Sequence, residues 1–161
     1  MRLTHNEEAY FIAYMAPLLD HPEIQRMDQF IQHGHTTCLK HSLTVAYYSY
    51  VFSKHFNLDV DYESLLRGAL LHDFFLYDWH IKESHKGLHG FRHPSIALKN
   101  AKKYFTLTSI ECDIISHHMW PLTPSPPRSK EAYIVMLMDK WCSLRETLNR
   151  SIVVLPFEKY S

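Results

Sequence analysis

Residues 65–73 read Leu-Leu-Arg-Gly-Ala-Leu-Leu-His-Asp, an apolar helical pattern that ends in two polar groups. Asp61 precedes this stretch and belongs to the residue types that cap helices, so we predict a helix over residues 62–74. The leucines share one helical face with His72 and Asp73. Because a carboxylate and an imidazole are costly to bury without partners, the rest of the fold has to supply partners for this pair.

Helices joined by loops account for most of the remaining chain. Apolar periodicity and helix-capping residues predict further helices over residues 6–20, 22–32, 37–56, 93–105, 109–119 and 129–150. Pro94 is expected at the first helical position of its helix, and residues 75–92, which hold no period, are expected to be a lid or binding loop. We therefore predict a single all-α domain over residues 1–161, a helical bundle of six to seven helices.

Composition excludes several classes of protein. Lys+Arg and Asp+Glu are both 17, which argues against a nucleic-acid polymer as partner. There are only four glycines, and neither a dinucleotide-binding glycine motif nor a P-loop occurs. No apolar run reaches the ~20 residues that cross a bilayer, and the N-terminus lacks a signal-peptide core. We expect a cytoplasmic protein with no membrane partner, and the oligomeric state stays open.

Six polar side chains interrupt the predicted apolar faces: His41, His72, Asp73, His117, His118 and Asp139. Taken singly, each histidine would be read as a hydrogen-bonded core residue and each aspartate as an exposed or capping one. Six such residues on four helices favour a shared divalent cation, because imidazole and carboxylate are standard ligands of Fe, Mn and Zn. At a helix end, His72 could bind one ion while Asp73 bridges to a second.

The order of these residues resembles a known family. His41 on one helix, Leu-Leu-His72-Asp73 ending the next and Met-Asp139-Lys140 inside a later one are similar to the HD-domain superfamily of metal-dependent phosphohydrolases. The resemblance covers about residues 37–148. It implies a bundle of the HD-domain type with a metal site between its helices.

His93-Pro and His117-His118 resemble the branch of that superfamily that holds two metals, such as the HD-GYP proteins. The Gly-Tyr-Pro signature of those proteins is absent, because residues 119–123 read Met-Trp-Pro-Leu-Thr. Cleavage of cyclic dinucleotides is therefore not expected.

The resemblance also implies a ligand set for two divalent ions, with Fe, Mn, Zn, Co and Ni as candidates. The first ion would be held by His41, His72, Asp73 and Asp139. Asp73 would bridge, and the second ion would be held by His93, His117 and His118. Two alternatives stay open: His93 as a simple helix cap, and one of the adjacent histidines pointing away from the ion.

Several residues receive expected roles in catalysis. A water activated by the ions that Asp73 bridges would attack phosphorus, and His80, with His85 and His89, is a candidate donor of the leaving-group proton. Lys140 and Arg92, which adjoin expected ligands, could pair with phosphate. Trp120 could stack on a base. The competing interpretation is a solvated surface for the cations and ordinary packing for the tryptophan.

Three functions are compatible with this pattern. The first is hydrolysis of a small phosphate ester, with a nucleotide as one candidate. The second is oxygen chemistry at a di-iron centre, since iron accepts the same ligands. The third is a non-catalytic binding module whose metal only holds the helices together.

Overall fold

The computed structural model describes residues 2–78, 89–148 and 157. Within these ranges the chain forms seven α-helices and one small hairpin, which confirms the predicted all-α bundle. The helices are α1 (His5–Leu19), α2 (Pro22–Gln25), α3 (Cys38–His55), α4 (Tyr62–Leu71), α5 (His89–Tyr104), α6 (Ser109–His117) and α7 (Lys130–Thr147). None of the helices in the described ranges has both the length and the apolar character needed to span a bilayer.

Side-chain caps set where the main helices begin. Asp61 accepts hydrogen bonds from the backbone of Glu63 and Ser64 at the start of α4. Thr108 and Glu111 form a capping box at the start of α6. Ser129 caps α7 through the amide of Ala132. Each cap satisfies an amide that has no partner within its helix.

The segment after α2 differs from the prediction. The helix expected over residues 22–32 ends at Gln25 and gives way to a 3₁₀ turn (Arg26–Gln29) and an antiparallel hairpin of β1 (Ile31–His33) and β2 (Thr36–Thr37). Gly34, with φ of 57°, supplies the left-handed turn between the strands. This hairpin brings Gln32 into the interior.

Helix α5 also starts earlier than expected. It begins at His89 rather than at His93, so Pro94 lies inside the helix and not in its first position. Proline has no backbone N–H, so a proline within a helix leaves one backbone hydrogen bond unmade. In α5 this missing bond is close to the helix start. Asn100, further along α5, donates to the carbonyl oxygens of Phe74 (3.1 Å) and Phe75 (2.9 Å) and so fixes the backbone after Asp73.

Helix α4 lies at the centre of the bundle and packs on α3, α6 and α7. Gly68 lets α6 approach closely, because a Cβ there would lie 2.5 Å from Ile114 Cδ1 and 3.3 Å from its Cβ. Helix α7 is less enclosed than its apolar sequence suggests, since Leu137 and Leu144 are exposed on its outer side. The close α4–α6 packing brings the ends of both helices to one point.

Candidate metal centre

Five elements each bring polar side chains to the middle of the bundle. His41 comes from the second turn of α3, His93 from α5 and Asp139 from α7, while His72-Asp73 and His118 stand where α4 and α6 end. All six residues are buried, and Asp139 is the most exposed of them at 7%. Residues separated by up to 98 positions thus meet in one interior site.

A first group consists of His41, His72 and Asp73, whose ligand atoms lie within 4.8 Å of one another. The Oδ2 atom of Asp73 lies 3.2 Å from His72 Nε2 and 3.8 Å from His41 Nε2. Asp139 adjoins this group, with its Oδ1 atom 3.1 Å from His41 Nε2 and 3.7 Å from His72 Nε2. Two imidazole nitrogens and two carboxylates therefore face one another.

A second group consists of Asp73, His93 and His118, whose ligand atoms also lie within 4.8 Å of one another. The other carboxylate oxygen of Asp73, Oδ1, lies 3.1 Å from His93 Nε2 and 3.5 Å from His118 Nε2. The two imidazole nitrogens are 2.8 Å apart. One carboxylate is thus shared between two pairs of imidazoles.

The residues of the site fit a metal centre. His72 Nδ1 lies 2.7 Å from the carbonyl oxygen of Ala69, and His118 Nδ1 lies 3.0 Å from that of Ile115. Donation to these carbonyls leaves each Nε2 with its lone pair, the arrangement typical of metal-ligating histidines. Moreover, within residues 2–78, 89–148 and 157 no group forms a hydrogen bond with the buried atoms His72 Nε2 and Asp73 Oδ1. Such atoms are costly in an interior, and a cation in the group to which each atom belongs would satisfy it.

Electrostatics couples the groups strongly. Burial alone would raise the pKa of Asp73 and of Asp139, but neighbouring histidines lower both pKa values far below the usual range of a carboxyl group. Burial likewise opposes the charge of His41, yet Asp139 and Glu146 raise its pKa to about 9. Burial dominates at His118, whose pKa is lowered. The site therefore holds its carboxylates ionised, as metal ligands must be.

His117 departs from the expected ligand set. Its Nδ1 lies 2.7 Å from Asp113 Oδ1, and neither of the two groups includes it. Consecutive residues of a helix point about 100° apart. Because His118 turns inward from the end of α6, His117 faces the start of α7 instead. The structure thus brings together six of the seven residues expected as ligands and leaves His117 outside.

The residues expected to act in catalysis have varied positions. Lys140 donates from Nζ to the carbonyl oxygen of His118 at 2.9 Å, so its ammonium lies beside the backbone of the second group. Arg92 is exposed on α5 next to His93, and Trp120 is half-buried in the turn after His118. His80 lies outside the described residues, as does His85. Their roles stay predictions.

Two residues that the sequence did not indicate also contact the site. Gln32 of β1 donates from Nε2 to Asp73 Oδ2 at 2.5 Å, and Glu146 of α7 lies with Oε2 2.9 Å from His41 Nδ1. Both are buried. A glutamine near a turn and a glutamate in a last helical turn are ordinary surface choices, so no signal in the sequence alone distinguishes them.

Comparison with known families agrees with the geometry. A family model described as HD domain matches residues 38–143, well over half of the 161 residues. The chain belongs to the HD domain family, and the resemblance drawn from His41, His72-Asp73 and Asp139 is confirmed. The family places it in a superfamily of metal-dependent hydrolases. No curated protein and no solved structure matched the chain.

Proposed function

We propose that this protein is a metal-dependent phosphohydrolase that cleaves a small phosphate ester, with a nucleotide as one candidate substrate. One observation carries the proposal. The two oxygens of Asp73 face different imidazole pairs, Oδ2 toward His41 and His72, and Oδ1 toward His93 and His118. Such a carboxylate suits two divalent ions at the ~3.5–4 Å separation used in two-metal phosphoester hydrolysis.

The donor set assigns the proposed ligands. His41, His72, Asp73 and Asp139 would hold the first ion, and Asp73, His93 and His118 the second. Mixed nitrogen and oxygen donors suit Fe, Mn, Zn, Co or Ni. When bound, such ions lower the pKa of water and neutralise the charge that develops on phosphoryl oxygens.

The chain itself contributes orientation and a dry environment. The carbonyl oxygens of Ala69 and Ile115 lie against the Nδ1 atoms of His72 and His118, so these rings face inward before any ligand arrives. Donors fixed in this way need no rearrangement during the reaction. Burial of the whole group limits its contact with bulk solvent, and charges interact more strongly where the effective dielectric constant is low.

Contacts to the substrate extend the proposal. Lys140 is suited to pair with a phosphoryl oxygen, because its ammonium already lies 2.9 Å from the carbonyl oxygen of His118. Arg92 is a second candidate cation, Trp120 a candidate surface for a base, and His80 the candidate donor of the leaving-group proton. A cytoplasmic location and a small-molecule partner, without a nucleic-acid polymer, complete the proposal.

The decisive experiment combines metal analysis with a substrate screen. Elemental analysis of protein purified without added metal would count and identify the ions. The protein would then be assayed anaerobically, in the presence of each candidate ion, against nucleotides and sugar phosphates. Phosphate release without oxygen supports the proposal. Oxygen-dependent chemistry without phosphate release would instead indicate a di-iron oxygenase.

Matched variants separate catalysis from a purely structural metal. Asp73→Asn is expected to abolish phosphate release while the protein stays folded, whereas Asp59→Asn, at a fully exposed position, should leave turnover unchanged. The alternative outcome is that the wild-type protein binds metal but turns over no phosphate ester, and that replacing Asp73 unfolds it. The protein would then be a binding module whose metal only holds the helices together. That outcome would overturn the proposal.

A further inference from the structure

Glu146 is a buried carboxylate that lies against an imidazole from a distant helix. It lies in the last turn of α7, its side chain is 5% exposed, and its Oε2 atom is 2.9 Å from His41 Nδ1. A buried carboxylate is retained at a cost unless it is paired. We therefore expect the carboxylate of Glu146 to have a role that an apolar side chain could not fulfil.

Two of the other inward-facing histidines indicate what that role is. His72 and His118 each place Nδ1 against the carbonyl oxygen of the residue three positions earlier, Ala69 and Ile115. His41 instead places Nδ1 against the carboxylate of Glu146. Of these three rings, two are thus held through backbone carbonyls and one through a side chain.

Helix α7 holds the ring of His41 from both sides. Asp139 lies against Nε2 at 3.1 Å, and Glu146 lies against Nδ1 at 2.9 Å. The two acids are two turns apart, which places them on the same face of the helix. One helix therefore supplies both an oxygen beside the coordinating nitrogen and the acceptor that fixes the opposite nitrogen.

We propose that Glu146 is the positioning residue of His41. Its carboxylate accepts a hydrogen bond from His41 Nδ1–H. This keeps the Nε2 lone pair directed toward Asp73, Asp139 and a divalent cation held with them. A carboxylate acceptor also makes a ligating imidazole a stronger donor. The inference rests on the metal centre of the proposed function but not on phosphate-ester hydrolysis.

Metal affinity is the first test. The probe is Zn²⁺, titrated into metal-free full-length protein against a competing chelator. Glu146→Leu removes the acceptor and should weaken binding by about 10–100-fold. Glu146→Gln retains an acceptor oxygen without the charge and should weaken binding less. Glu131→Gln is the matched control, because Glu131 is also buried on α7 but accepts from the backbone of Asp61; it should leave affinity unchanged.

Proton NMR of the His41 ring is the second test and needs no metal. The His41 Nδ1–H proton should resonate far downfield in the metal-free wild type and in Glu131→Gln, and should shift upfield in Glu146→Gln. An unshifted resonance, or folded Glu146 variants whose Zn²⁺ affinity lies within twofold of the wild type, would overturn the assignment. A protein that binds Zn²⁺ as expected but releases no phosphate would count against the proposed function alone.

Discussion

Arg67 and Glu111 form a two-pronged ion pair between α4 and α6. Arg67 Nε lies 2.6 Å from Glu111 Oε1, and Nη2 lies 2.9 Å from Oε2. Glu111 is 1% exposed and also closes the capping box of α6 by accepting from the amide of Thr108. The pair thus links the helix that leads to His72-Asp73 with the helix that leads to His118.

Loss of Arg67 is expected to destabilise the fold. Arg67→Ala leaves the Glu111 carboxylate buried and without its cation, so the free energy of unfolding should fall by about 3 kcal/mol. Urea denaturation followed by circular dichroism measures the change. Lys130→Ala, which removes an exposed cation near Asp59, should have no measurable effect. Equal stability of the two variants would show that the α4–α6 pair contributes nothing.

Adjacent histidines at the end of α6 are expected to differ in their effect on metal content. His118 Nε2 faces Asp73 Oδ1, whereas His117 is held by Asp113. His118→Ala should therefore reduce the number of bound ions from two to one, and His117→Ala should leave it at two. Elemental analysis of both proteins provides the count. A loss of metal in His117→Ala equal to that in His118→Ala would contradict the site as described.

Metal binding is expected to release protons at neutral pH. Asp139 and Glu146 raise the pKa of His41 to about 9 against the opposing effect of burial, so metal-free protein keeps this imidazole protonated at pH 7. A cation needs the deprotonated Nε2, so affinity should rise with pH until about pH 9 and then level off. Calorimetry in two buffers of different ionisation enthalpy measures the protons released. A binding enthalpy that is independent of buffer would refute this expectation.

The raised pKa of His41 also predicts how the stability of the metal-free protein depends on pH. The pKa of His41 in the folded state is raised above its unfolded value of about 6.5. Its contribution should therefore be complete below pH 6.5 and be lost as pH rises through about 9. Denaturation midpoints of metal-free protein between pH 6 and pH 10 should fall, and they should fall less in His41→Gln.

Asp113 is expected to hold α6 and α7 together. Its Oδ2 atom accepts from the amides of Arg128 (2.9 Å) and Ser129 (2.7 Å), while Oδ1 faces His117. Burial opposes ionisation, but these hydrogen bonds lower the pKa of Asp113. Asp113→Ala should cost about 2 kcal/mol, measured by thermal unfolding at pH 7. The difference from wild type should be complete above the unfolded pKa of about 3.8 and should be lost as pH falls from there through the lower pKa of the folded state.

The sequence allows part of the site to be predicted for a physical reason. His41, His72 and Asp139 interrupt apolar helical stripes, so their burial follows from local periodicity. Glu146 and Gln32 do not, because their burial depends on partners 105 and 41 residues away. Contacts over such separations arise only when the helices pack.

Two other differences come from the limits of local rules. His117 and His118 are equally good ligands by residue type, and only the phase at which α6 ends decides which one turns inward. Pro94 is typical of a first helical turn, but α5 starts at His89 and accommodates the ring within the helix. In both cases the residue type alone does not decide the outcome.

Asn100 of α5 donates to the carbonyl oxygens of Phe74 and Phe75, and so holds the backbone after Asp73 against α5. The anchor uses a helix and a short stretch of backbone, and both lie outside residues 79–88. The position of Asp73 thus depends on contacts within the described part of the chain. Asn100, although it is not an expected ligand, helps to set where the shared carboxylate stands.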